Sequence, residues 1–117
     1  PKEMRLFALM DQLTKDACTL TLSTVRHFER ITPEPQDESQ ATLCKKIKKR
    51  DGQIDFDDAE VIYNKYRAFE GWPGIFAENG TKFDGLSLVE SEKRHNTAEI
   101  LAFEGESAIV GCNRGAL

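Results

Sequence analysis

The sequence predicts an α+β chain: N-terminal helices and a linker, then a small antiparallel sheet or barrel. Three observations predict it. Up to residue 31, apolar residues recur at three- and four-residue intervals. Pro33 and Pro35 then break the pattern. Beyond Gly74 the apolar runs become short or alternating, divided by turn pairs such as Asn79-Gly80 and Glu104-Gly105.

Residues 3–13 read as a helix whose face carries Leu6, Leu9, Met10 and Leu13, with Phe7 at its edge. Thr14 is the expected N-cap of a second helix running from Lys15 to about Ile31. There Ala17, Leu20, Thr24, Phe28 and Ile31 share a face that Cys18, Leu22 and Val25 widen. Two helices with faces this broad cannot bury them on each other alone. They are expected to pack on something further, or to bring two copies of the chain together as a dimer. Residues 32–39 form a linker. A short basic helix is expected from about Ala41 to Lys49, with Leu43 and Ile47 on one side and Lys45, Lys48 and Lys49 on the other. Lys46 and Arg50 flank that basic side, and Gly52 is expected to stop the helix in a left-handed conformation. Asp57 or Asp58 caps the next helix, about 59–69, which buries Ala59, Ile62, Tyr63, Tyr66 and Phe69. Gly71-Trp72-Pro73-Gly74 breaks that helix. Strands are expected at 74–78, 82–90, 98–103 and 108–112, with Leu117 opening another. Neither end reads as a natural terminus, so the chain is expected to be an excerpt of a longer one.

The chemistry that is visible is mostly electrostatic. The formal net charge is −4, which points away from nucleic acid, but its distribution is uneven. Residues 1–42 carry seven acids and five bases, and residues 51–117 carry thirteen acids and six bases. Lys45–Arg50 carries five bases and no acid. Clustered cations attract polyanions, although most charge runs are only solvated faces. Lys45, Lys46, Lys48, Lys49 and Arg50 are therefore candidate contacts for a nucleic acid, RNA or DNA, and Arg67 extends the patch from the polar side of the following helix; the resemblance described below makes them candidate RNA contacts. Trp72 has two readings, stacking on a base or plugging the helix-to-sheet junction, and the second is the more ordinary.

Catalytic and metal-binding patterns are absent from the sequence. Cys18, Cys44 and Cys112 are odd in number and lack histidines at ligand spacing, which argues against a disulfide framework or a zinc site. They read as reduced thiols. His27 and His95 have no nucleophile or carboxylate at motif spacing, and Asp55, Asp57 and Asp58 fit helix capping better than a calcium loop. No apolar run is long enough for a membrane span, and no signal-peptide pattern appears.

Two passages carry a family resemblance. Residues 41–56, Ala-Thr-Leu-Cys-Lys-Lys-Ile-Lys-Lys-Arg-Asp-Gly-Gln-Ile-Asp-Phe, precede residues 66–76, Tyr-Arg-Ala-Phe-Glu-Gly-Trp-Pro-Gly-Ile-Phe. This resembles the methionyl-tRNA formyltransferase family, with its basic passage ending in Ile-Asp-Trp and its later Ile-Arg-Ala-Phe-x-x-Trp-Pro-Gly. Here Phe56 stands for the usual Trp, Tyr66 for the usual Ile, and Glu70-Gly71 for the usual Asn-Pro. Ala98–Leu101 and Gly111–Leu117 look like two later strands of that family, with Thr97 in place of a Gly. The resemblance covers nearly the whole chain and is weakest over residues 1–30.

What it implies is specific. Residues 1–31 would be the terminal helices of a catalytic formyltransferase domain, 32–57 a basic interdomain linker with a short helix, and 58–117 an incomplete OB-like tRNA-binding domain. The parent enzyme would formylate initiator methionyl-tRNA with 10-formyltetrahydrofolate, in the cytoplasm, during translation initiation. The catalytic and folate-binding residues would lie upstream of Pro1, so this chain is expected to hold no catalytic residue, no cofactor and no metal. Two other readings stay open at this point: a related formyltransferase or formyl-hydrolase with a non-tRNA acceptor, and a stand-alone interaction module.

Overall fold

A computed structural model describes residues 3–91 and 93–117. The chain divides into two compact units. Residues 7–47 form one; residues 48–117, together with 3–6, form the other.

The first unit is dominated by one long helix, α1 (Leu6–Arg26), rather than the two expected. Thr14 does not cap a second helix. Its hydroxyl donates to the carbonyl of Met10 at 2.8 Å, one turn back, and Thr19 does the same to Lys15 at 3.1 Å. A threonine that bonds back in this way needs no helix break. Lys15 pairs with Asp11 at 2.6 Å on the outer surface, and Gln12 donates to Asp16 at 3.0 Å. The helix ends at Arg26, short of the expected Ile31, and the chain tightens into a 3-10 turn at Phe28–Arg30 before Pro33. No residue of α1 is buried, and Phe7, Met10, Leu13 and Leu20 are all exposed.

Residues 41–48 contain the main departure from the sequence reading. They form no helix or strand, with extended backbone at Ala41 and Lys48, and every side chain is exposed, Leu43 by 99%. The reason is charge and length. A helix here would set Lys45 over Lys49 and Lys46 over Arg50, two like-charge pairs at the four-residue spacing. Nine residues with two apolar anchors do not offset that repulsion.

The second unit carries the core: Ile54, Ala59, Ile62, Tyr66, Ile75, Cys112 and Ala116. Its helix α2 (Ala59–Ala68) buries Ala59, Ile62 and Tyr66, the expected face, while Tyr63 and Phe69 are partly buried against it. The cap is Asp58, whose carboxylate accepts from the backbone N–H groups of Glu60 at 2.9 Å and Val61 at 3.2 Å. Strands β1 (Ile75–Phe76) and β2 (Lys82–Phe83) pair antiparallel through the Asn79-Gly80 turn. Strands β3 (Glu99–Glu104) and β4 (Ser107–Gly111) form a second hairpin with a bulge between Ile100 and Ala102. Leu117 does pair onward, exchanging backbone bonds with Val110 at 2.8 and 3.0 Å, and Ala116 bridges Gly111 on one side and Val89 on the other. The result is α+β, and among the described residues two small antiparallel hairpins stay open rather than closing into a barrel.

The turn at residues 113–115 locks onto the start of α2. The Arg114 carbonyl accepts from Ala59 N–H at 3.0 Å, and the Arg114 guanidinium pairs with the Asp58 carboxylate. Asn113 donates to the Asp57 carboxylate at 2.9 Å, and its backbone N–H reaches Phe56 O at 3.0 Å. Asp58 thus serves two ends of the unit at once. Asp58→Ala is expected to cost about 2 kcal/mol, a lost cap plus a lost charge-assisted bond. Arg114→Ala should cost clearly less, because the guanidinium is largely solvated. Urea denaturation of both variants measures the difference.

Candidate nucleic-acid interface

The five clustered cations fall on both units: Lys45 and Lys46 on the first, Lys48, Lys49 and Arg50 on the second. All five are exposed. In the second unit the backbone turns through a 3-10 segment at Lys49–Gly52. Asp51 builds that turn: its carboxylate accepts from Lys48 N–H at 2.7 Å, and its own N–H donates to Lys48 O at 2.9 Å. This acid is spent on backbone, so it fixes the turn without pairing with a neighbouring cation.

Gly52 closes the turn for a reason other than the expected left-handed backbone. A Cβ at Gly52 would lie 2.2 Å from Gly74 O and 3.0 Å from the Pro73 ring. The basic turn is therefore pressed against the Trp72-Pro73-Gly74 turn. The contact continues beyond it, where Ile54 N–H donates to Phe76 O at 2.9 Å and Gln53 bridges Phe76 in parallel. Lys65, which the sequence reading did not single out, reaches over from α2 and donates to Gln53 O at 2.9 Å. Its spacing along α2 carries no motif signal; only the tertiary pairing of 53–54 with 76 brings it here.

Arg67 is placed differently. It is half-buried, donates to Met4 O at 3.4 Å and to the Asn64 side chain, and lies over the Tyr63 ring at 5.3 Å. Around it, Arg5 pairs with Glu70 at 3.0 Å and covers the Tyr66 ring at 4.7 Å, while Tyr63 donates to Glu3 at 2.7 Å. That hydrogen bond, and then burial, push the Tyr63 phenol above its usual pKa. Trp72 is 59% exposed and does not plug the junction.

Other reactive groups are accounted for by the fold. Cys112 is fully buried, and burial, followed by the Asp55 and Asp57 carboxylates, pushes its thiol up to about 11. A thiol held protonated is a poor nucleophile. His95 sits 3.4 Å from the Ser91 hydroxyl, and among the described residues no carboxylate accepts from its ring. Among the described residues no cluster of His, Cys, Asp and Glu is arranged to hold a metal, and no helix is long and apolar enough to cross a membrane.

A basic run before a capped helix, an Arg67-Ala68-Phe69 helix end and a Trp72-Pro73-Gly74 turn are the features of one domain class, and the chain belongs to it: residues 46–117 match the formyl transferase C-terminal domain family. The relatives are consistent. The chain is 77% identical over its full length to a methionyl-tRNA formyltransferase of Sulfurovum sp. (strain NBC37-1), covering 38% of that protein. It is 47% identical to a methionyl-tRNA formyltransferase of Nitratiruptor sp., over 93% of this chain and 36% of that one. Against the methionyl-tRNA formyltransferase of Campylobacter jejuni (strain RM1221) it is 45% identical, over 99% of this chain and 38% of the relative. The chain thus spans little more than a third of the length of the curated relatives it matches.

Proposed function

We propose that this chain is the tRNA-holding part of a methionyl-tRNA formyltransferase. In this reading the whole enzyme moves a formyl group from 10-formyltetrahydrofolate to the amino group of methionine on initiator tRNA, in the cytoplasm, at translation initiation. The chain supplies binding rather than chemistry, and no residue in it is assigned to the formyl donor. Residues 1–31 belong to the end of the catalytic domain, 32–57 to the linker and 58–117 to the tRNA-binding domain.

The observation that carries the reading is the exposed cation run entering a formyl transferase C-terminal domain. Lys45, Lys46, Lys48, Lys49 and Arg50 all face solvent, and the acid nearest to them, Asp51, is engaged with backbone. A non-helical, turning backbone suits a phosphate chain better than a rigid helix would, because each side chain reaches its own phosphate. Arg67, on α2 itself, belongs to the same candidate set in a supporting role, since its guanidinium is held by Met4 O, the Asn64 side chain and the Tyr63 ring.

The test is acceptor choice. The full-length enzyme, given 10-formyltetrahydrofolate, is expected to formylate charged initiator tRNA and to leave free methionine and sugar-nucleotide amines unmodified. Transfer to a small acceptor with none to charged tRNA would overturn the reading.

A further inference from the structure

We infer that Trp72 is a stacking platform for an unpaired RNA base, set at the edge of the basic turn formed by Lys48, Lys49 and Arg50. The inference rests on the RNA-binding reading above and adds a second kind of contact to it.

Exposure is the first observation. An indole is the side chain with most to gain from burial, yet Trp72 is 59% exposed beside a core that takes in Ile54 and Ile75. The exposure is built in. Gly71 and Gly74 adopt left-handed backbones (φ 82° and 71°), and Gly74 N–H donates to Phe69 O at 3.0 Å, which fastens the turn to the end of α2. The ring is thus presented by a fixed turn rather than left on a loose loop, and a platform that is already ordered loses little entropy on binding.

Position is the second observation. The segments 52–54 and 74–76 lie side by side: Gly52 against Gly74 and Pro73, Ile54 bonded to Phe76. The 3-10 turn that carries Lys49 and Arg50 ends at Gly52, so it meets the turn that carries Trp72 at Pro73 and Gly74. Lys65 adds a further ammonium on the same segment through Gln53. Cations that track a phosphate chain, next to an aromatic face that accepts any base, are the two parts of single-strand recognition. The cations decide between RNA and a protein partner, since an apolar docking surface would not be bordered by four positive charges.

Anisotropy titrations of the full-length protein with two labelled probes, a single-stranded RNA and a blunt RNA duplex of the same sequence, test this. Trp72→Ala is expected to weaken the single strand about tenfold or more, leave the duplex unchanged, and leave the salt slope of both intact. Trp72→Phe should recover most of the loss. An equal loss on both probes, or none on either, overturns the stacking role while wild-type binding and its salt slope still support the RNA reading. Wild-type protein that binds neither probe in a salt-dependent way overturns both.

Discussion

Changing Lys45, Lys46, Lys48, Lys49 and Arg50 to glutamine together is expected to flatten the salt dependence of initiator-tRNA binding by about 4 in the slope of log affinity against log salt. Each cation seated on a phosphate releases condensed counterions, and five such contacts contribute about 0.7–0.9 each. Between 50 and 200 mM salt, roughly a 200-fold change in affinity present in the wild type would disappear. The fold should be untouched, because none of the five side chains is buried. Arg67→Ala is the useful contrast. Its guanidinium is held among Met4, Asn64 and Tyr63, so its loss should register mainly in stability. Anisotropy titrations at four or five salt concentrations give the slopes. A slope unchanged in the five-residue variant removes the run from the interface.

The same residues show how far the sequence is legible. The class, α+β with a C-terminal set of short antiparallel strands, follows from patterning, and α2 with its Asp58 cap and its buried Ala59, Ile62 and Tyr66 follows from spacing. These are local properties. Sequence and structure part where a local rule meets a competing one. Thr14 reads as a cap because threonine favours that position, but the same hydroxyl also bonds to the carbonyl four residues back, and α1 runs on through it. The basic helix is suggested by Leu43 and Ile47 falling on one side. Apolar spacing does not weigh the repulsion among the cations on the other side, and residues 41–48 form no helix.

The candidate site is half legible. The cations are contiguous in sequence, so no tertiary structure is needed to find them. Lys65 and the Trp72-Pro73-Gly74 turn are brought against Gly52 and Gln53, at the end of the run, only by the pairing of 52–54 with 74–76, which has no local signature. Asp51 illustrates the remainder: standing beside the expected helix-stopping Gly52, it shapes the turn by accepting from Lys48 N–H. Arg114 likewise carries no motif weight, yet it joins the last turn of the chain to the first turn of α2.

Gly52→Ala is expected to be the most destabilising single substitution of a glycine in the second unit. The added methyl group would sit 2.2 Å from Gly74 O, a backbone atom that cannot move aside without carrying the Trp72-Pro73-Gly74 turn with it. Overpacking of this kind costs about 3 kcal/mol at the upper end of its usual range, a fall in melting temperature of about 15 °C for a unit of this size. Gly80→Ala separates the two reasons for a glycine. Gly80 has a left-handed backbone (φ 86°) and open space around it, so its substitution meets only backbone strain, about 1 kcal/mol. Thermal melts followed by circular dichroism would rank the two, and equal losses would mean that the turns are not pressed together as described. Gly52→Ala also keeps every charge of the basic turn. If the turn and Trp72 act as one surface, this variant loses affinity for single-stranded RNA at temperatures where it is still folded, with its salt slope preserved, because what has changed is the spacing between the cations and the ring.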